Sequence, residues 1–301
     1  MRTQNFLEEA DAYFHAGKCN SAMHLLASGF AAVRKVMPNA DWKQYVSEVR
    51  QHDVMKTTRL CPFINHAISR PFGYPGDATL IDHIYGYLRP SLTGLPKSLY
   101  ACMTGASAPR SVRFRRQVLA HYIDKVLHER ESDANILAVG CGHLRELDLS
   151  RVVTQVRPDR FLALDQDANS LAEVERCFGS LGVTLDRRNI RDIVSGQVTY
   201  DRLDLAYAAG LYDYLTAEAA QALTLRLFNM LSPGGTLFVA NFLTGIPDAG
   251  FMEAAMDWWL IYRDEKQMLT LLSGIAESEI AFVQQYRDPD NNITFLEVRR
   301  N

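Results

Sequence analysis

The stretch Ile136-Leu137-Ala138-Val139-Gly140-Cys141-Gly142 decides how the second half of this chain folds. An apolar run leads into two closely spaced glycines, and a later run, Phe161-Leu162-Ala163-Leu164, ends in Asp165. An open parallel sheet binds its ligand outside the carboxyl ends of its strands, where glycine lets the backbone approach and a carboxylate can accept from both ribose hydroxyls. The two strand ends therefore indicate a site for a nucleotide-type ligand.

Outward from this stretch, short apolar segments alternate with amphipathic ones, which predicts an α/β fold with a doubly wound, mostly parallel sheet. Strands are predicted at 135–139, 160–164, 183–187, 203–208 and 235–240, and helices near 145–155, 168–178, 217–231 and 251–273. Residues 280–286 and 293–298 flank a turn sequence at 288–292, which predicts a closing antiparallel hairpin. The complete sheet is expected to be seven-stranded and Rossmann-like.

The first half of the chain has helical apolar spacing from residue 4 to about residue 130. Residues 1–108 are therefore predicted to form an N-terminal α-helical cap or lid, and 109–301 the core domain. Within the cap, Pro75-Gly76 suits a type II turn, and Asp77 can cap the helix that follows. Tyr74 lies on this turn, which suits a lid that closes over a ligand; a purely structural turn explains it equally well.

Composition excludes several classes of function. The 301 residues are 48% hydrophobic with a net charge of -3, too balanced for a nucleic-acid-binding protein. Five scattered cysteines without a C-x-x-C pattern argue against disulfides and zinc, and favour a reducing, cytoplasmic location. No apolar run is long enough to cross a membrane, and the N-terminus does not read as a signal peptide. The oligomeric state cannot be read from the sequence.

The glycine pattern discriminates between cofactors. A dinucleotide fold requires G-x-G-x-x-G, but the third position is Arg145, so NAD is the weaker interpretation. Five parallel strands followed by an antiparallel hairpin resemble instead the class I methyltransferase fold, which binds S-adenosylmethionine (SAM). The resemblance covers roughly residues 110–300. Two positions depart from the usual pattern, because Ala138 replaces an acidic residue and Leu144 replaces a third glycine.

The resemblance implies a role for each matching residue. The glycine turn would lie against the methionine part and ribose of SAM, Asp165 would bind the ribose hydroxyls, and Asn189-Ile190 would flank the adenine. Residues 208–210 would line the floor beside the sulfonium, and 231–235 would form the loop before the fifth strand. The expected SAM-binding residues are Gly140, Cys141, Gly142, Asp165, Gln166, Asn189, Ile190, Ala208, Gly210 and Arg113.

A closer resemblance rests on five ordered segments, at 70–77, 109–116, 140–146, 209–215 and 257–263. Together they are similar to a bacterial subfamily that carries an N-terminal helical extension on the methyltransferase core. Its members include 3-hydroxypalmitic acid methyl ester biosynthesis proteins, and the azetidine-2-carboxylate synthases of secondary metabolism look similar. This resemblance implies an enzyme that uses SAM without a metal.

The candidate catalytic residues are Tyr74, Tyr207, Tyr212, Asp213, Trp259 and Tyr262. Aromatic faces can stabilise a sulfonium, although core packing is the default for any single ring. Asp213 and Asp257 are candidate proton acceptors or amine ligands. Helix capping explains Asp213 about as well, and a surface ion pair explains Asp257. Arg110, Arg113 and Arg116 recur in the first turns of one helix, where they form either a solvated basic face or a clamp on a carboxylate.

Two reactions follow from these expectations. In the favoured one, the amine of SAM attacks its own γ-carbon and gives azetidine-2-carboxylate and methylthioadenosine. In the alternative, a small acid or a hydroxy fatty acid accepts the methyl group at its carboxylate or hydroxyl and leaves S-adenosylhomocysteine. A non-catalytic SAM-binding protein is the competing class, suggested by the missing acidic residue and third glycine.

Overall fold

The computed structural model describes residues 5–301, and residue 4, where the predicted helical half begins, lies outside this range. The described chain forms two compact units. The first contains the residues up to Arg113 together with Gly245–Trp259, and the second contains Phe114–Thr244 and Leu260–Asn301. The sequence predicts a single division, between residues 108 and 109; the structure adds a late segment of the chain to the first unit.

The first unit is helical. Its helices are α1 (Asn5–His15), α2 (Cys19–Val36), α3 (Asn39–Val49), α4 (Asp53–Thr58), α5 (Pro62–Ser69), α6 (Ala78–Tyr85) and α7 (Gly94–Gly105). Helix α8 (Ser107–Arg130) contains the boundary between the units. Between residues 5 and 113 the structure has helices and no strand, so the helical prediction for this half is confirmed.

The late segment packs on the first unit through a close helix contact. A Cβ on Gly250 would lie 2.6 Å from the carbonyl oxygen of Phe30 in α2, so this position requires glycine. Nearby, the buried carboxylate of Glu253 accepts from Trp42 Nε1 at 2.5 Å and from Arg34 Nε at 2.7 Å. These bonds offset the cost of burying the charge.

The structure confirms the Pro-Gly turn that the sequence predicts in the first unit. Gly76 has a φ of 79°, which suits the third position of a type II turn. Asp77 caps α6 by accepting from the N–H of Leu80 at 2.9 Å. The ring of His66 also lies against the carboxylate, with Nε2 at 2.8 Å from Asp77 Oδ2. The proposed lid motion of this turn stays a prediction.

The second unit is built on a seven-stranded sheet. Its strands are β1 (Asn135–Val139), β2 (Arg160–Asp165), β3 (Val183–Arg187), β4 (Leu203–Ala208), β5 (Leu231–Phe242), β6 (Ile280–Arg287) and β7 (Ile293–Arg300). Their spatial order is β3-β2-β1-β4-β5-β7-β6. The first five pair in parallel, and β7 is antiparallel to both β5 and β6. The predicted doubly wound sheet with a terminal hairpin is confirmed.

The chain order explains where a ligand can bind. Strand order reverses at β1, because β2 and β3 lie on one side of it and β4 and β5 on the other. The remaining helices are α9 (Ala168–Phe178), α10 (Ile190–Val194), α11 (Ala217–Asn229), α12 (Ala249–Ala255) and α13 (Glu265–Leu269). The carboxyl ends of β1 and β4 therefore form the topological switch point, which is where open α/β sheets bind ligands.

Three local predictions are wrong, and each has a physical cause. The helix expected near 145–155 is only a 3-10 helix, Arg145–Leu149, because the carboxylate of Asp124 binds the next main-chain N–H groups. The helix expected over 251–273 is broken. Asp257 has a φ of 51°, and the N–H of Ile261 donates to the carbonyl of Asp213 at 2.7 Å instead of continuing a helix.

The third wrong prediction is the loop expected before the fifth strand. β5 begins at Leu231, which pairs with Leu203, and pairing resumes between Thr236 and Leu205. The intervening residues form an irregularity inside the strand. A Cβ on Gly235 would lie 2.5 Å from the carbonyl oxygen of Leu203, so glycine allows the close approach there.

Candidate functional site

The turn after β1 brings two glycines to the carboxyl edge of the sheet. Gly140 and Gly142 have φ values of 62° and 53°, a region that side chains with a Cβ disfavour. The N–H of Cys141 donates to the carbonyl of Leu164 at 3.1 Å and ties the turn to β2. Burial raises the pKa of the Cys141 thiol well above its ordinary value, so the thiol packs as a neutral group. The main chain of this turn can therefore approach a ligand.

Asp165 ends β2 beside this turn, and two main-chain groups hold its carboxylate. Oδ2 accepts from the N–H of Gly142 at 2.9 Å, and Oδ1 accepts from the N–H of Asp167 at 3.0 Å. Burial raises the pKa of Asp165, while these main-chain donors oppose the rise. Each carboxylate oxygen has more than one lone pair. The carboxylate is thus fixed in position and can still accept from ligand hydroxyls.

The ends of β2 and β3 are joined by a side-chain hydrogen bond. Asn189 Nδ2 donates to Gln166 Oε1 at 2.7 Å. The other end of the Asn189 amide caps α10, where Oδ1 accepts from the N–H of Arg191 at 2.9 Å. Ile190 is half-buried against the core of the second unit. The structure therefore brings Asp165, Gln166 and Asn189 together at one edge of the sheet.

The end of β4 carries a buried hydrogen bond between a phenol and a carboxylate. The hydroxyl of Tyr207 donates to Glu146 Oε1 at 2.7 Å, and both side chains are buried. Burial raises the pKa of Glu146, and the hydrogen bond from Tyr207 acts in the opposite direction. Tyr207 is the register partner of Ala138 on β1, the position where the methyltransferase pattern expects an acid. Glu146 is thus a buried carboxylate that is bound to the residue paired with Ala138.

Arg115 lies over the main chain that follows β4. Its Nη1 donates to the carbonyl of Ala209 at 2.7 Å, and Nη2 would be 3.5 Å from a Cβ on Gly210. The residue is 6% exposed, and its Nε has no hydrogen-bond partner among residues 5–301. Ala208, the last residue of β4, is fully buried beneath this turn. A buried guanidinium thus borders the expected floor of the site.

Asp213 lies in the short 3-10 helix Tyr212–Tyr214 that follows this turn. Its Oδ1 accepts from the N–H of Phe242 at 2.7 Å. Burial raises the pKa of Asp213 to about 6, although the charges of Arg115 and Arg263 pull it down. A carboxyl that titrates there can accept a proton near neutral pH. Asp213 is therefore a candidate proton acceptor.

The remaining predicted catalytic side chains of the second unit differ in their surroundings. Tyr212 is completely buried, and its hydroxyl shares a 2.9 Å hydrogen bond with Thr224 Oγ1 in the hydrophobic core. Burial raises the pKa of Tyr212. Tyr262 is half-buried and directly precedes Arg263, whose Nη1 donates to the carbonyl of Tyr212 at 2.7 Å. The hydroxyl of Tyr212 thus packs rather than facing the turn after β4.

Three predicted site residues belong to the first unit. Arg113 Nη1 donates to carbonyl oxygens at the carboxyl-terminal ends of α6 and α7, at 3.1 and 2.8 Å. Trp259 Nε1 donates to Asp257 Oδ1 at 2.8 Å, and Asp257 also accepts from Arg50 at 2.6 Å. Tyr74 is half-buried on the Pro-Gly turn. Their predicted roles toward SAM stay predictions.

Glu146 and Arg115 are the site residues that sequence reasoning missed. Both lie inside quoted motifs, but the three-residue spacing drew attention to Arg110, Arg113 and Arg116 instead. Arg116 Nε donates to the carbonyl of Arg145 at 2.9 Å, and so it braces the 3-10 helix. The missing acid at Ala138 was the one available signal that a carboxylate must come from elsewhere.

Three further observations concern metal ligands, membrane spans and cysteines. Between residues 5 and 301, no group of three or more His, Cys, Asp or Glu side chains could hold a metal ion. Within the same range, no helix combines the length and the apolar character needed to cross a membrane. All five cysteines are free thiols.

The fold is shared with solved structures of low sequence identity. A possible exported protein of Bordetella parapertussis aligns with 86% of this chain and 95% of its own, at 17% identity and a TM-score of 0.65. Magnesium protoporphyrin IX methyltransferase (ChlM) of Synechocystis PCC 6803, with S-adenosylhomocysteine bound, aligns with 79% of this chain and 97% of its own, at 12% identity and a TM-score of 0.50. No family pattern and no curated protein matches the sequence. With its strand order, the chain has the class I methyltransferase fold.

Proposed function

We propose that this protein is an enzyme that binds SAM at the carboxyl edge of its sheet and uses it as an electrophile. The observation that carries the proposal is the Asp165 carboxylate, which is anchored to the glycine turn and retains lone pairs for two ribose hydroxyls. Bound there, SAM supplies a carbon attached to a positively charged sulfur. The fold supports the proposal, because open α/β sheets bind their ligands at the topological switch point.

The surroundings of Arg145 favour a single nucleoside over a dinucleotide. Arg145 stands where a dinucleotide fold has its third glycine, and its side chain is buried. Nη2 donates to Glu173 at 2.7 Å, and Nη1 lies 3.3 Å from Cys177 Sγ. A dinucleotide fold uses that glycine for close packing of the first helix against the strand. The large side chain at this position therefore disfavours NAD.

Of the two reactions, we propose the cyclisation of SAM to azetidine-2-carboxylate. It requires a neutral amine, so a group must first take a proton from the ammonium. Asp213 suits this role, because burial raises its pKa to about 6 and its Oδ1 is positioned by the N–H of Phe242. The second support is the resemblance to azetidine synthases in five ordered segments.

Methyl transfer is the second candidate. It is supported by the fold, which this chain shares with a protein named as a methyltransferase. Transfer to a hydroxyl would use Asp213 as the base, whereas transfer to a carboxylate would need no base. A hydroxy fatty acid is the acceptor suggested by the resemblance to methyl ester biosynthesis proteins.

The two reactions are separated by incubating the purified protein with SAM alone and following the small molecules by mass spectrometry. Cyclisation predicts equal, enzyme-dependent amounts of methylthioadenosine and azetidine-2-carboxylate. Intact SAM would contradict cyclisation. Acceptors would then be tested, beginning with hydroxy fatty acids, and formation of S-adenosylhomocysteine would report methyl transfer.

The matched control for this experiment is Asp213→Asn, which keeps an oxygen that can accept from the N–H of Phe242 but cannot take up the proton. If Asp213 is the base, the variant folds, binds SAM and loses at least ~100-fold in turnover, the usual contribution of a general base. Full turnover in the variant would remove Asp213 from the mechanism.

A further inference from the structure

Arg115 has an unsatisfied edge. Nη1 of its guanidinium is used by the carbonyl of Ala209, at 2.7 Å. Nε has no partner among the described residues, and the residue is only 6% exposed. A buried N–H of a charged group without a partner costs free energy. The fold therefore maintains a donor that its own residues do not satisfy.

The charge of Arg115 is also uncompensated by direct contact. No carboxylate in residues 5–301 lies within salt-bridge distance of its guanidinium. In contrast, Arg145 pairs with Glu173, and both Nη atoms of Arg263 donate to oxygens of neighbouring residues. The charge of Arg115 acts on Asp213 and Glu146 only at longer range, where it lowers the pKa of each carboxyl. The site therefore has a place for one more anion.

The geometry of the guanidinium selects the kind of anion. With Nη1 occupied, the remaining edge carries Nε and Nη2, whose N–H groups point in parallel directions. Such a pair matches the two oxygens of a carboxylate, and a bidentate bond of this type is among the strongest in proteins. A Cβ on Gly210 would lie 3.5 Å from Nη2, so glycine at this position keeps a side chain away from this edge.

We propose that Arg115 binds the carboxylate of the amino-acid group of SAM and makes the site selective for adenosyl ligands that carry this carboxylate. The assignment rests on the proposed function, and it replaces none of the ribose or adenine contacts. It also explains how the amino-acid group is held in a chain with Ala138 at the position of the usual acid. In this assignment Arg115 contacts the carboxylate of SAM directly and does not act through another residue.

The test is a thermodynamic cycle between one side chain and one ligand group. Binding of S-adenosylhomocysteine and of its decarboxylated analogue is measured by calorimetry for the natural protein and for Arg115→Gln. The natural protein is expected to prefer S-adenosylhomocysteine by about 10- to 100-fold, the range of a charge-assisted hydrogen bond. In Arg115→Gln this preference should fall to within about threefold, with affinity for the analogue nearly unchanged.

Arg116→Gln is the matched control, because Arg116 is the next buried arginine of α8 and donates to a main-chain carbonyl. It should lower stability without changing the preference for the carboxylate. Arg115→Lys keeps a cation and should retain part of the preference, which also covers the case in which Arg115→Gln does not fold.

The outcomes are distinguishable. A natural protein that binds neither ligand contradicts the proposed function together with this assignment. A natural protein that binds both, with an unchanged preference in Arg115→Gln, overturns the assignment alone. Equal weakening of both ligands in that variant would mean that Arg115 only braces the turn after β4, and would overturn it as well.

Discussion

Replacing Asp165 with asparagine should weaken SAM-type ligands without unfolding the protein. The carboxylate accepts from the N–H groups of Gly142 and Asp167. Asparagine keeps one acceptor oxygen but turns an NH2 group toward the second main-chain donor and toward a ribose hydroxyl. Loss of one charge-assisted hydrogen bond is worth about 1.5 to 3 kcal/mol, so the dissociation constant of S-adenosylhomocysteine should rise by about 10- to 150-fold.

Calorimetry at pH 7 measures this constant, and Asp167→Asn provides the matched control. Asp167 caps α9 by accepting from the N–H groups of Asn169 and Ser170, and asparagine caps helices about as well as aspartate. The control should therefore bind S-adenosylhomocysteine within about twofold of the natural protein, well under 1 kcal/mol. Unchanged binding by Asp165→Asn would refute the placement of the ribose, whatever the control shows.

Three further predictions concern buried groups. Because the folded-state pKa of Asp213 is raised from 3.8 to about 6, turnover should fall as pH drops below about 6, and the free energy of unfolding should decrease as pH rises from about 4 to about 6; Asp213→Asn should remove both dependences in pH-rate and urea measurements. Tyr207→Phe removes the phenol that donates to the buried Glu146 carboxylate and should cost about 1 to 3 kcal/mol by urea unfolding. The double variant with Glu146→Gln should lose less than the sum of the two single losses; additive losses would contradict the contact. Gly250→Ala should cost about 1 to 3 kcal/mol through its clash with α2, whereas Gly105→Ala, whose Cβ would meet no described atom within 4 Å, should be nearly neutral; equal effects would refute the close packing.

The sheet could be predicted because its strands are buried on both faces and read as apolar runs. β4 is buried at every position, and β1 at four of its five residues. Both strands can therefore be recognised from their own residues, without knowledge of the strands they pair with. The terminal hairpin could also be predicted, because its turn is stabilised by residues that are close together in the sequence. Asp288 accepts from the N–H groups of Asn292 and Ile293 at 2.7 and 2.6 Å.

The helix boundaries could not be predicted where a distant group competes for main-chain donors. The segment after Leu149 has amphipathic spacing, but Asp124 in α8 accepts from its N–H groups. Similarly, the N–H of Ile261 is bound by the carbonyl of Asp213, which is far away in the sequence. Periodicity reports which residues are apolar, not which main-chain groups find partners elsewhere.

The site also contains residues that could be predicted from the sequence and residues that could not. The glycine turn and Asp165 were predictable, because strand ends and glycines have a fixed meaning in a parallel sheet. Arg115 was not, because its neighbours in space, Ala209 and Gly210, are almost a hundred residues away and nothing in the spacing of α8 separates it from Arg113 or Arg116. A buried, unsatisfied donor is a property of packing alone.

The measurement that tests the central claim most directly is a side-by-side calorimetric titration of the natural protein with S-adenosylhomocysteine and with NAD. We predict binding of one S-adenosylhomocysteine per chain, lost in large part by Asp165→Asn, and no binding of NAD. Binding of NAD in preference, or binding of neither ligand, would contradict the assignment of the β1 and β2 strand ends to SAM.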